Sequence, residues 1–126
     1  MAAAAMLARD WHYNASGAAF YAQHLLADRV AEIGKHADAL AETYYLGERG
    51  EVPPPSVEIM GEAIRICNGA KGDTIPARLV SVLRLTAAHA EELARGNISI
   101  GAKSLLDGIS ADAYQFVGLI ERTEKP

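Results

Sequence analysis

Four side chains that can bind a metal ion recur along one predicted helix: His24, Asp28, Asp38 and Glu42. At about 100° per residue they fall within one stripe roughly 80° wide. Imidazole nitrogens combined with carboxylate oxygens suit Fe(II), with Zn(II) or Mn(II) as competitors. His24 and Glu42 lie about 27 Å apart along the helix axis, whereas ligand bonds are only about 2 Å long. One helix therefore cannot bring both pairs of ligands to one ion.

A second copy of the same helix, laid antiparallel, would bring the two pairs together. With the two-fold axis beside Ile33 and Gly34, His24 faces Glu42 of the partner subunit. In the same arrangement Asp28 faces Asp38 of the partner subunit, and Gly34 lets the two backbones approach closely. Such a two-fold interface makes two identical sites, each with ligands from both chains. The alternative is a solvated helix face, because carboxylates spaced by four residues are common there, with His24 as a surface or interface residue.

Apolar residues recur at helical spacing along almost the whole chain, and strand signals are nearly absent. The predicted helices cover residues 2–11, 18–46, 57–67, a segment opened by Thr74 and Pro76 and ended by Gly96, and a segment begun by Ser99. Ser16 and Gly17 separate the first two helices, and Ser56 is the predicted N-cap of the short one. The predicted core stripes of the last two helices are Leu79, Val82, Leu83, Ala90, Leu93 and Leu106, Ile109, Ala113, Phe116, Ile120. These elements predict an all-α domain, most simply a four-helix bundle with a short helix in the long loop between its second and third helices.

Length and composition narrow the classes of protein to which the chain belongs. It has 126 residues, half of them hydrophobic, and a net charge of −4 with a pI of about 5.5. A chain of this size forms one domain, residues 1–126, and its acidic balance argues against nucleic acid as the main partner. No apolar run approaches the roughly 20 residues of a membrane span, and we recognise no signal peptide. The lone cysteine, Cys67, fits a reducing compartment, so we expect a cytoplasmic protein.

The residues around the start of the second predicted helix resemble a known signature. The positions that match it in register are His12, Asn14, Gly17, Phe20, His24 and Asp28. The pattern is similar to that of the Dps family, the small ferritin-like proteins of starved bacterial cells. Asp38 and Glu42, four residues apart, resemble the second block of that family, and residues 104–122 resemble its final helix.

The resemblance implies a ferritin-like four-helix bundle that assembles from two-fold dimers into a dodecamer. It implies a ferroxidase, an oxidoreductase that oxidises Fe(II) at centres between subunits and stores ferric iron against oxidative stress. One subunit would contribute His12, His24 and Asp28, and its neighbour would contribute Asp38 and Glu42. Iron is the implied metal, with zinc or manganese as substitutes.

The chain also departs from the family pattern. The interval from Asp28 to Asp38 is one residue shorter than is usual, which turns the second pair by about 100° on a continuous α-helix. The first helix is about two turns shorter than in relatives. The residue types differ at Tyr13, Gln23 and Thr43. These departures leave open a second hypothesis, a Dps-like shell or interaction protein without ferroxidase activity.

DNA binding is not expected from this sequence. In the family it commonly relies on a flexible tail rich in Lys and Arg. Here Arg9 is the only lysine or arginine among the first eleven residues, and the charges of the carboxyl-terminal residues 122–126 nearly cancel. With few cations to displace counterions from phosphate, the affinity for DNA should be low.

Overall fold

The structure is a computed structural model that describes residues 1–125, and it is helical throughout, without a strand in that range. The predicted all-α class is therefore confirmed. The α-helices are α1 (Ala2–Asn14), α2 (Phe20–Ala31), α3 (Lys35–Leu40), α4 (Ser56–Gly69), α5 (Ile75–Ala94) and α6 (Ile100–Thr123). A 3-10 turn, Glu32–Gly34, joins α2 to α3, and a π-helical segment, Ala41–Glu48, follows α3.

The two longest helices begin at residues whose side chains satisfy free backbone N–H groups. The Thr74 hydroxyl accepts a hydrogen bond from the Ala77 N–H at 3.2 Å, and Pro76 occupies the first turn of α5. The Ser99 hydroxyl accepts from the Ala102 N–H at 3.1 Å at the start of α6. Each such cap contributes about 1 kcal/mol, and both starts were predicted from the sequence.

The second predicted helix forms as one rod, but its winding changes twice. Residues 31, 32, 34 and 35 keep right-handed helical angles across the 3-10 turn, so α2 and α3 run on without a loop. The π-helical segment then extends the rod to Glu48. The predicted range of 18–46 is shifted by two residues at each end, and Gly17, at φ +85°, separates the rod from α1. The expectation of an unbroken α-helix was wrong.

The core lies where α1, α2, α5 and α6 meet. Its largest fully buried side chains are Ile33, Leu79, Leu83, Ile109, Ile120 and Val30. Burial of a side chain of this size stabilises the fold by about 1.5–3 kcal/mol. The Ala-rich α1 packs against α2, α4 and α5, and it places Leu7 and Trp11 in the core.

Ser56 and Leu93 differ from their predicted roles. Ser56 is the first residue of α4, and its side chain does not cap the helix, whereas Pro55 holds the N-cap position in an extended conformation. Leu93, predicted as a core residue of α5, is 54% exposed. The predicted stripe of α6 is buried as expected.

One corner of the helix assembly is left open. The helix α1 packs against α2 and the 3-10 turn, whereas α3 and the π-helical segment pack mainly against α6. The second half of the rod therefore lacks the neighbour that the first half has. In the range 1–125 there is also no helix with the length and apolar character needed to cross a membrane.

Candidate metal centre

His12 and His24 form a stacked, hydrogen-bonded pair. His12 lies in the last turn of α1 and His24 in the first half of α2, so the tight connection through Gly17 brings them together. Their rings stack with centroids 3.8 Å apart and planes inclined by 28°. Both side chains are half-buried.

The two histidines exchange hydrogen bonds with each other's backbone. The Nδ1 atom of His24 lies 3.0 Å from the carbonyl oxygen of His12, and the Nδ1 atom of His12 lies 3.3 Å from the carbonyl oxygen of His24. A carbonyl oxygen only accepts hydrogen bonds, so each Nδ1 must carry the proton. In the neutral rings both Nε2 atoms then keep a lone pair, which is the form in which imidazole binds a metal.

Aromatic rings surround this histidine pair. Phe20 lies with its ring centroid 5.2 Å from that of His24, and Tyr13 meets His12 edge-on at the same separation. Tyr13 is 73% exposed and Phe20 is 43% exposed. The two histidines are thus half-buried, whereas the aromatic rings beside them remain partly exposed to solvent.

The three carboxylates of the predicted set are exposed. Asp28 lies one helical turn beyond His24, whereas Asp38 is on α3 and Glu42 is in the π-helical segment. None of the ion pairs and side-chain hydrogen bonds found among residues 1–125 involves these three carboxylates. Their oxygens remain free to bind a cation.

The 3-10 turn changes the direction in which the Asp38 and Glu42 side chains point. A 3-10 helix turns by about 120° per residue rather than about 100°, so three residues add about 60°. Measured from His24, Asp38 moves from about −40° to about +20°, close to Asp28 at about +40°. With ideal geometry the overwound turn therefore reduces the angular offset between Asp28 and Asp38 from about 80° to about 20°.

The chain does not assemble a complete metal site by itself. Within residues 1–125 no group of three His, Cys, Asp or Glu side chains is arranged to hold a metal ion. Asp28 and Asp38 are separated by about 15 Å of helix. His12, His24 and Asp28 therefore form one half of the predicted set, and Asp38 and Glu42 form the other.

Gly34 is the residue that we expect beside the two-fold axis. Gly34 faces α1 of its own chain, and a Cβ atom added there would lie 3.6 Å from the Cβ of Ala5. The neighbouring Ile33 is buried in the core at 2% exposure. Asp38 lies four residues beyond Gly34 and therefore projects from the same side of the rod.

Two further groups with reactive side chains lie away from this stripe. The Cys67 thiol is buried, and burial raises its pKa, with Asp10 adding to the rise. It is thus an inert packing residue, as its position in the sequence predicted. His36 on α3 bonds through Nε2 to the Asp112 carboxylate on α6 at 3.0 Å. Sequence reasoning missed this pair, because its members are 76 residues apart and share no local pattern.

Comparison of the chain with protein-family models, curated proteins and solved structures found no match.

Proposed function

We propose that this protein is an iron-storing mini-ferritin of the Dps type, with ferroxidase sites shared between two antiparallel copies. The observation that carries the proposal is the His12–His24 pair, whose reciprocal backbone bonds leave both Nε2 atoms free to bind a metal. Asp28 lies one turn away with an exposed carboxylate. Imidazole nitrogens and carboxylate oxygens are ligand types that suit Fe(II), the substrate of the reaction, and a second chain would supply the ligands that one chain does not bring together.

The helix order supports the same proposal. We propose that α1, the rod from Phe20 to Glu48, α5 and α6 form a four-helix bundle, with α4 as the short helix of the long loop. Close packing between α5 and α6 and between α1 and α2 fits this arrangement. A dodecamer built from two-fold dimers would place the shared sites at its interfaces.

The proposed chemistry divides between two kinds of ligand. The imidazoles retain Fe(II) before oxidation, and the carboxylates supply hard anionic oxygens that favour Fe(III). Each Fe(II) loses one electron to the oxidant, either peroxide or dioxygen, and ferric oxide collects in the cavity of the shell. The protein supplies ligands and positions, and no side chain needs to act as nucleophile.

The first test removes one ligand at a time. His24→Gln and Asp28→Asn should each abolish rapid Fe(II) oxidation, followed by ferric absorbance in a stopped-flow instrument. The matched controls are His89→Gln and Asp107→Asn, which change exposed residues of the same types outside the stripe. Both controls should keep the wild-type rate, and all four variants should keep the mass of the wild-type assembly.

The outcomes also separate the two hypotheses raised by the sequence. Wild-type protein that oxidises Fe(II) no faster than buffer, while still assembling, would favour a shell without ferroxidase activity. Rapid oxidation that survives in both ligand variants would reject the proposed site.

A further inference from the structure

The second half of the rod, residues 35–48, packs against α6 with little burial. Of the residues described, none in α3 or in the π-helical segment is buried. Leu40 alone is partly buried against the small apolar cluster of Ala90, Leu106 and Ile109. In the first half of the rod, α2 places Ala27 and Val30 in the core. Apolar packing therefore holds residues 35–48 less firmly than it holds α2.

Two polar contacts join residues 35–48 to α6. Near the start of the segment, Nε2 of His36 lies 3.0 Å from Oδ2 of Asp112. A carboxylate oxygen accepts hydrogen bonds, so Nε2 is the donor. Near the end of the segment, the Glu48 carboxylate accepts a hydrogen bond from the Ser99 N–H at the N-cap of α6. These two contacts lie on either side of the stretch that carries the predicted carboxylate ligands.

The contact between His36 and Asp112 also sets the direction in which those carboxylates project. Residues two apart on an α-helix differ by about 200° around its axis. Because His36 points to α6, Asp38 points away from it, and the Asp38 side chain is exposed. Glu42, four residues later, is exposed on nearly the same side. The hydrogen bond thus holds both carboxylates away from α6, where a second chain can reach them.

We propose that His36 and Asp112 are positioning residues for the carboxylate half of the ferroxidase site. The hydrogen bond between them holds Asp38 and Glu42 where the imidazole half of a second chain can meet them. Neither His36 nor Asp112 binds the metal. This inference rests on the proposed function, which assigns Asp38 and Glu42 as ligands. Displacement of a reacting group by about 1 Å can cost about 100-fold in rate, so a contact outside the site can control it.

Amide hydrogen exchange of the metal-free protein tests the anchoring of residues 35–48 without iron. Loss of one hydrogen bond changes an opening equilibrium by about two- to tenfold. Exchange in this segment should therefore become about two- to tenfold faster in Asp112→Ala and in His36→Leu. His36→Gln should exchange like the wild type, because the glutamine amide can donate to the Asp112 carboxylate in place of Nε2. The matched control Asp107→Ala, which removes an exposed carboxylate of the same helix, should also exchange like the wild type.

The rate of Fe(II) oxidation tests the positioning of the ligands. Asp112→Ala and His36→Leu should slow the oxidation by about five- to a hundredfold, followed by ferric absorbance in a stopped-flow instrument. Both variants should keep the mass of the wild-type assembly. His36→Gln and Asp107→Ala should keep the wild-type rate, which would show that His36 acts through its hydrogen bond and not as a metal ligand.

Mixed assemblies show which half of the site Asp112 serves. Asp112→Ala keeps the imidazole half, so refolding it with an equal amount of His24→Gln gives mixed dimers with one intact site each. About a quarter of the wild-type rate should then return, because half of the dimers are mixed. Refolding it with the double variant Asp38→Asn, Glu42→Gln should restore no activity, since neither chain then has a working carboxylate half. A variant that only destabilised the fold would behave alike with both partners.

The outcomes separate this inference from the proposed function. Wild-type protein that oxidises Fe(II) no faster than buffer rejects the proposed function, while hydrogen exchange still decides whether the bond anchors residues 35–48. With an active wild type, three results would overturn the inference and leave the proposed function standing. They are unchanged exchange in Asp112→Ala, an unchanged oxidation rate in Asp112→Ala, and failure of His24→Gln to restore activity to it.

Discussion

At the scale of single residues, the backbone fixes the tautomer of two stacked imidazoles. The Nδ1–H groups of His12 and His24 each donate a hydrogen bond to the other residue's carbonyl oxygen, which fixes both the tautomer and the ring orientation. Ligand histidines in metal sites are usually held by such outer contacts.

The tautomer of both histidines is directly measurable. Long-range ¹H–¹⁵N spectra of the metal-free protein at neutral pH should show the proton on Nδ1 in His12 and His24. His89, an exposed histidine of α5, is the internal comparison. Addition of Zn(II) should shift the Nε2 resonances of the pair. A proton on Nε2 of either ring in the metal-free protein would contradict the geometry.

At the scale of elements, the winding of the rod determines the direction in which the Asp38 and Glu42 side chains project. The 3-10 turn at Glu32–Gly34 overwinds the rod, and the π-helical segment that contains Glu42 winds it more loosely. The rod thus turns Asp38 toward Asp28, while Ile33 is directed into the core. Gly34 belongs to the part of the rod that packs on α1.

Gly34→Ala tests this assignment of faces. The added Cβ makes an ordinary contact with Ala5, and alanine forms helices better than glycine, so the free energy of unfolding should rise by about 0.5–1 kcal/mol. Urea unfolding measures the change. The mass of the assembly and the rate of Fe(II) oxidation should stay as in the wild type. If the substitution dissociated the assembly, Gly34 would have to lie at the crossing of two subunits after all.

At the scale of the whole molecule, the proposed site needs two chains. One chain carries the nitrogen-rich half, and the carboxylate half lies about 15 Å farther along the same rod. In residues 1–125 these halves do not meet, and no other group of three ligating side chains replaces them. A two-fold pair of antiparallel rods would join each half to the complementary half of the other chain.

Mixed assemblies test whether the site is shared. A variant with His24→Gln loses the first half of the site, and a variant with Asp38→Asn and Glu42→Gln loses the second half. Each alone should be inactive. When the two variants are refolded together in equal amounts, half of the dimers contain one copy of each variant. Each mixed dimer keeps one of its two sites intact. About a quarter of the wild-type rate of Fe(II) oxidation should therefore return. A mixture that stays inactive would show that the ligands do not come from two chains.

Much of this molecule follows from local sequence. Helical periodicity and the capping residues Thr74 and Ser99 predict where α5 and α6 begin, and the stripe of α6 predicts its buried face, because these signals act within a few residues of the chain. The same periodicity puts His24, Asp28, Asp38 and Glu42 on one side of one rod. Spacing alone also establishes that one rod cannot gather them around one ion.

Only the tertiary structure decided the contacts between residues far apart in the chain. The stacking of His12 on His24 depends on how α1 folds back along α2, and the His36–Asp112 bond depends on how α3 crosses α6. The exposure of Leu93 and the open corner of the helix assembly follow from which helices lie side by side. Periodicity marks a face as apolar, but packing determines whether another element covers that face, because burial depends on neighbours that the local pattern does not specify.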